Sequence, residues 1–370
     1  MRKKRLQRGL TFGLFTLFAI AILGNGLAES DNLQRSNAGS EEEMLENIAL
    51  TSEIMELEDG LSAVRFDGDH GFDGFLAQGG ASSDAQVVEY LADNLLSGLS
   101  LGDILGSIFG CSTIAVQNPE GEALFGRNFD WQSCEALIVE AHPANGYASI
   151  STVNLDFITR NVGGSMVSMA LNLDTVRTLA ALYAPLDGMN EAGLAVSVNM
   201  IQDSATIEQD TGKPDLTTTT AIRLLLDGAG SVEEALELLG QYDLHGSMGM
   251  MVHFAIADRS GRSVAVEYVN NEMVVIETPV LTNFYLAEGE KQGVGTAQSH
   301  ERYDILMLRL EDSARMDMEG VRDALNSVSK DNFSEFESTE WSVVMDLATL
   351  EAHYYHREDY STGYAFRLQG

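Results

Sequence analysis

Gly110-Cys111-Ser112-Thr113-Ile114-Ala115-Val116-Gln117, Asn118-Pro119-Glu120-Gly121, then Leu124-Phe125-Gly126-Arg127-Asn128-Phe129-Asp130-Trp131 is the stretch that decides the reading. β-Branched residues recur in the first run, and the Asn-Pro-Glu-Gly quartet signals a turn. A β-hairpin over 111–130 follows. With 118–121 as the turn, Gln117 faces Glu122 and paired positions sum to 239, which sets Asn128 opposite Cys111. Arg127 and Asp130 stand three apart. Because strand side chains alternate in facing, bringing both to the thiol requires a bend near Gly126 or at the strand end.

The chemistry of this hairpin is that of an activated thiol. A cysteine needs a base, or a nearby cation that lowers its pKa, to become a strong nucleophile. Arg127 supplies a cation, and the hairpin contains no histidine. If the chain is cut before Cys111, the new α-amine titrates near pH 8 and can serve as the base. Asp130 would orient that ammonium. The other reading of the same residues is a buried structural cysteine beside an Arg127–Asp130 ion pair. The hairpin alone leaves both open.

Outward from the hairpin, the chain changes character in both directions. Its 370 residues carry 22 Lys+Arg against 56 Asp+Glu, a net charge of −34. That excludes nucleic-acid binding through a general basic surface. The first 28 residues read as a secretory signal peptide. Basic Arg2, Lys3, Lys4, Arg5 and Arg8 precede an uncharged run from Leu10 to Leu23, and Gly26 and Ala28 suit a cleavage site. Fourteen such residues fall short of the roughly 20 a membrane span needs. Residues 29–110 read as an acidic, helical segment, either an ordinary helical subdomain or a pro-segment. Val87, Val88, Leu91 and Leu95 fall at helical spacing after Ser82-Ser83-Asp84, and a second apolar stretch runs from Leu99 to Ile108.

After the hairpin, strands are predicted at 147–153, 165–171, 193–199, 250–257, 263–269 and 273–281. Helices are predicted over 217–240, broken at Gly228-Ala229-Gly230, and over 300–312 with a partner at 318–328. Trp341 to Leu350 and His353 to Leu368 read as a final hairpin. This order suggests a layered α+β domain over 111–370.

The hairpin resembles the start of the choloylglycine hydrolase family of N-terminal-nucleophile amide hydrolases. Asp187-Gly188-Met189-Asn190-Glu191-Ala192-Gly193-Leu194 is similar to a further family segment, and Val280-Leu281-Thr282-Asn283 to another. The resemblance implies an αββα four-layer sandwich. It also implies Cys111 as nucleophile, Asn199 and Asn283 as oxyanion donors, and Arg127, Asp130 and Arg302 as residues that tune the thiol. Because 110 residues precede Cys111, it further implies self-cleavage between Gly110 and Cys111.

The expected activity is therefore hydrolysis of linear amide C–N bonds in an acylated amine or amino acid of bile-salt, penicillin V or N-acyl amide type. The enzyme would act outside the cytoplasm, need no metal or organic cofactor, and keep or release its own pro-segment. An acyltransferase on the same fold and a non-catalytic exported binding protein are the alternatives. Oligomeric state is not legible. Cys134 reads as free rather than disulfide-bonded to Cys111. Met248, Met250 and Met251 suit either an acyl pocket or core packing.

Overall fold

The computed structural model describes residues 44–95, 110–159, 173–331 and 337–368. The expected signal peptide, the apolar stretch from Leu99 to Ile108 and the strand expected at 165–171 lie outside them. In chain order the elements begin with β1 (Met44–Asn47), β2 (Met55–Glu58), β3 (Leu61–Gly68), α1 (Phe72–Ala77), α2 (Asp84–Tyr90), β4 (Gly110–Gln117) and β5 (Ala123–Trp131). There follow β6 (Ala136–Pro143), β7 (Ser149–Asn154), α3 (Leu173–Leu182), β8 (Asp187–Asn190), β9 (Leu194–Ile201), β10 (Asp215–Thr217), α4 (Thr218–Gly228), α5 (Val232–Leu239) and β11 (Asp243–His245). The last group is β12 (Met251–Asp258), β13 (Ser263–Val269), β14 (Glu272–Glu277), β15 (Val280–Leu281), α6 (Ala297–Asp312), α7 (Met318–Asn326), β16 (Ser338–Asp346), β17 (Glu351–His356) and β18 (Thr362–Arg367).

Among the described residues the strands form two large sheets, ordered β1-β18-β17-β16-β5-β4-β15 and β14-β13-β12-β9-β8-β7-β6-β3-β2. Period-two alternation explains how they stack. On β5, Phe125, Phe129 and Trp131 join the main apolar core between the sheets, while Leu124 joins a second cluster with Val321 and Leu325 of α7. Helices α6 and α7 cover the outer face of the first sheet, and α3, α4 and α5 pack against the second. The expected αββα sandwich is thus the observed fold.

Helix boundaries follow the sequence closely. The expected break after α4 falls at Ala229, and Ser231 Oγ caps α5 by accepting from Glu234 N–H at 3.2 Å. Glu234 reaches back to Gly230 N–H at 2.7 Å, one residue beyond the usual reciprocal partner.

Four expectations change. The hairpin register sums to 240, with Gly110 opposite Asp130 and Cys111 opposite Phe129. The cause is Asn118, whose Oδ1 accepts Glu122 N–H while its own N–H bonds Glu122 O, both at 2.8 Å. That closes the loop one residue later than the quartet suggests. Gly126 makes no bend; a side chain there would collide with Val321, so its bareness lets α7 pack against the hairpin. The C-terminal tail is three strands rather than a hairpin, turned at Arg357 and Glu358, both with positive φ.

The largest correction concerns the pro-segment. It is not simply helical. Helix α2 forms where the spacing placed it, with Ser83 as its cap, but β1, β2 and β3 precede it. Strand β1 pairs parallel to β18, and β3 pairs parallel to β6 from Leu61↔Ala136 to Gly68↔Pro143. Leu61, Ala63 and Val64 are fully buried. Their partners lie more than 70 residues away, which short-range periodicity does not reveal. Leu61→Ala is expected to lower the unfolding free energy by about 2–5 kcal/mol. An unchanged urea midpoint would show that this strand is peripheral to the folded unit.

Candidate active site

Cys111, Thr113, Arg127 and Phe129 share the inner face of the hairpin, as the observed register requires. The Cys111 thiol is buried, and Arg127 Nη2 lies 3.4 Å from its Sγ. Arg127 is fully buried as well. Its Nη1 donates to Asp187 Oδ2 at 2.7 Å and to Leu186 O, and its Nη2 donates to Val198 O at 2.9 Å. Asp187 also accepts Trp341 Nε1–H at 3.0 Å, and Trp341 stacks on Phe129 with ring centroids 3.9 Å apart. Burial pushes the Cys111 thiol above its ordinary range, and the adjacent Arg127 charge opposes that rise.

Asp130 faces the other way, and no bend is needed to use it. Its carboxylate accepts from Arg302 Nη1 at 2.6 Å and Thr339 Oγ1 at 2.7 Å, with Lys330 Nζ at 3.7 Å. Arg302 Nη2 continues to Asn283 Oδ1 at 2.6 Å, and the same oxygen accepts the Cys111 backbone N–H at 2.8 Å. The nitrogen of Cys111 and its sulfur therefore meet different partners, Asn283 and Arg127. Asn283 Nδ2 donates one hydrogen to Met200 O at 2.7 Å and, as an amide, carries a second. Asn199 is one step removed. It meets Thr113 Oγ1, on the strand of Cys111 itself, and the Leu281 and Thr282 carbonyls, at and just after the end of the neighbouring β15, each at 3.3 Å.

Gly110 is enclosed by charge. A Cβ there would collide with the Glu337 carboxylate and the Lys330 ammonium, which pair at 2.6 Å. Around Cys111, Arg127, Arg302 and Lys330 balance Asp130, Asp187 and Glu337, all buried. The sequence reading missed Asp187, Lys330 and Glu337. Asp187 lay within a quoted segment without a role; the other two carry no signal, being more than 200 residues from Gly110, which they enclose. It also missed His253. The His253 ring bridges Glu267 at 3.1 Å and Thr282 O at 2.8 Å, which steadies the turn carrying Asn283.

Cys111 and Cys134 are both free and buried. Burial raises the Cys134 thiol well above its ordinary range, and nearby Glu340 adds to the rise. A cavity of about 30 Å³ adjoins Cys111, lined in part by Met248 and Met250 but not Met251. Met248 and Met250 thus share the wall of that cavity with Cys111, while Met251 is packed in the core.

A family model described as linear amide C–N hydrolases, choloylglycine hydrolase family, matches residues 111–284. Among solved structures, a cysteine-to-alanine variant of the conjugated bile acid hydrolase from Clostridium perfringens is 18% identical. It covers 70% of this chain and 92% of that chain, with a TM-score of 0.51. An arginine-to-leucine variant of the same hydrolase is 17% identical over 70% of this chain and 92% of that chain, with a TM-score of 0.50. Penicillin V acylase from Agrobacterium tumefaciens is 18% identical over 66% of this chain and 83% of that chain, with a TM-score of 0.47. No curated protein sequence matches the chain.

Removing the Arg127 cation withdraws a positive charge that lies 3.4 Å from Sγ and favours the thiolate. Arg127→Met is therefore expected to move the midpoint of Cys111 alkylation by iodoacetamide to higher pH, with labels located by peptide mass mapping. A midpoint that stays put or falls would mean that Arg127 does not act on the thiol.

Proposed function

We propose, from the match of residues 111–284 to the family model described as linear amide C–N hydrolases, choloylglycine hydrolase family, that this chain is an exported cysteine amidase that activates itself by cleavage before Cys111. The observation that carries this reading is the division of contacts at Cys111, with Sγ on Arg127 at 3.4 Å and N–H on Asn283 at 2.8 Å. Any buried backbone N–H needs an acceptor, but a merely structural thiol has no use for a buried guanidinium against its sulfur.

In the precursor the thiol attacks the Gly110 carbonyl. The C–N bond breaks, a thioester forms, and the thiol proton passes to the Cys111 nitrogen. Water then cleaves the thioester, releasing the Gly110 carboxylate and restoring the thiol. Cys111 now carries an α-amine held by Asn283, close to Asp130 and Arg302. Since the surrounding buried charges already balance, a thiolate is accommodated best with an ammonium on the same residue. The amine therefore takes the thiol proton as the thiolate attacks a substrate amide. It returns that proton to the leaving amine, and it activates the water that resolves the acyl-enzyme.

Asn283 and Asn199 supply donors to the tetrahedral oxyanion, each from an amide hydrogen. The substrate is an acylated amine or amino acid. The pro-segment stays with the processed enzyme, a reading supported by the eight-residue pairing of β3 with β6 and the full burial of Leu61, Ala63 and Val64.

Purified wild type should split into two chains at Gly110–Cys111 on intact-mass analysis and elute as one species under native conditions. Cys111→Ala should stay joined and inert. A fully active wild type with Gly110 still attached would remove the amine from the mechanism. Asn283→Ala is expected to lower amide turnover by about 100- to 1000-fold, and turnover within a fewfold of wild type would exclude the asparagine as an oxyanion donor.

A further inference from the structure

Met248 holds a backbone conformation that bulky side chains avoid, with φ 55° and ψ 20°. Such a residue persists where its surroundings over-determine it. Two hydrogen bonds do so here. Ser247 N–H donates to Thr218 Oγ1 at 3.0 Å, and Met248 N–H donates to Asp84 Oδ2 at 2.7 Å. Asp84 is the first residue of α2 and lies upstream of Cys111. The carboxylate that pins this turn therefore belongs to the segment before the proposed cut. Burial raises the Asp84 carboxyl above its ordinary range, and the Met248 N–H opposes that rise.

Met248 lines two spaces. One is the cavity of about 30 Å³ against Cys111, Phe129 and Val198. The other is a cleft of about 910 Å³ whose walls include Ser82, Ser83 and Asp84 from the upstream segment and Glu208 and His245 from the domain beyond. A water molecule needs about 10–15 Å³ by this measure, so the inner space has room for a water or two and for no acyl chain. The cleft is as large as a site for a sizeable organic ligand. An amide whose carbonyl reaches Cys111 Sγ must displace the Met248 side chain or thread past it. Methionine suits that task, since its unbranched side chain turns about three bonds.

We propose that Met248 is the gate between the cleft and the thiol and sets which acyl groups are accepted, with Asp84 as the positioning residue that fixes its backbone. The segment before Cys111 is thereby part of the substrate site. The ligand class is an apolar acyl amide of several carbons entering from the cleft. This rests on Cys111 being the acyl-accepting nucleophile.

The test uses the full-length protein and two readouts. The first needs no turnover: the rates at which Cys111 is alkylated by iodoacetamide and by the bulkier N-benzylmaleimide, mapped by mass spectrometry. Met248→Ala should raise the bulky-to-small rate ratio about tenfold. Asp84→Ala should shift it the same way, and Asp84→Asn, whose amide oxygen can still accept the Met248 N–H, should restore the wild-type ratio. If the alanine variant does not fold by circular dichroism, Asp84→Ser, which suits a helix start but falls short of Met248, makes the same comparison. A ratio unmoved by Met248→Ala, or equal in the shortened and asparagine variants at Asp84, overturns the proposal.

The second readout is kcat/KM for acyl p-nitroanilides from acetyl to palmitoyl. Met248→Ala and the shortened Asp84 variant should both move the optimum towards bulkier acyl groups. An unmoved optimum overturns the role in selectivity. If wild type hydrolyses none of them, the amidase reading fails, while the alkylation ratios still decide the gate.

Discussion

A single buried guanidinium ties the two sheets together. Arg127 projects from β5 and spends three of its hydrogen bonds on the facing sheet and its approach, at Leu186 O, Asp187 and Val198 O. A fourth goes to the Cys111 sulfur. Withdrawing one partner from such a buried ion pair typically costs about 3–5 kcal/mol. The same side chain therefore sets the spacing between the layers and the electrostatic surroundings of the thiol. Trp341, bonded to Asp187 and stacked on Phe129, fills the space around the pair and keeps water from competing for it.

The hairpin then divides labour by parity. Odd-numbered positions 111, 127 and 129 look into the space between the sheets, where the sulfur sits. Asp130 looks towards Arg302, Thr339 and Lys330, where the backbone at Gly110 and Cys111 is held. Asn283 Oδ1 joins the two halves, since it takes both Arg302 and the Cys111 N–H. Sulfur and nitrogen of one residue are thus served by separate networks. That division suits the proposed change of Cys111 from a mid-chain to a terminal position.

Much of this was legible because the signals are local. Alternation exposed the hairpin, serine caps marked α2 and α5, and the spacing of Arg127 and Asp130 after Cys111 pointed to the cluster. Arg302, named from the resemblance alone, lands on Asp130. What escaped the sequence is what long-range pairing decides. Strand β3 found its partner 75 residues downstream, and Lys330 and Glu337 closed over Gly110 from the far end of the chain. None of these has a periodic or compositional trace near the residues it touches.

The parallel pairings of β1 and β3 have a consequence for solubility. Without them, β6 and β18 would end their sheets with rows of unpaired backbone N–H and C=O groups. Strand β6 would present Leu137, Ile138 and Val139, all fully buried here. Exposed, flat and apolar sheet margins recruit other chains and seed aggregation. The acidic upstream segment caps both margins, and it carries 16 acidic residues against 2 basic ones over 30–110, so the new outer strands are also electrostatically repellent towards copies of the same protein.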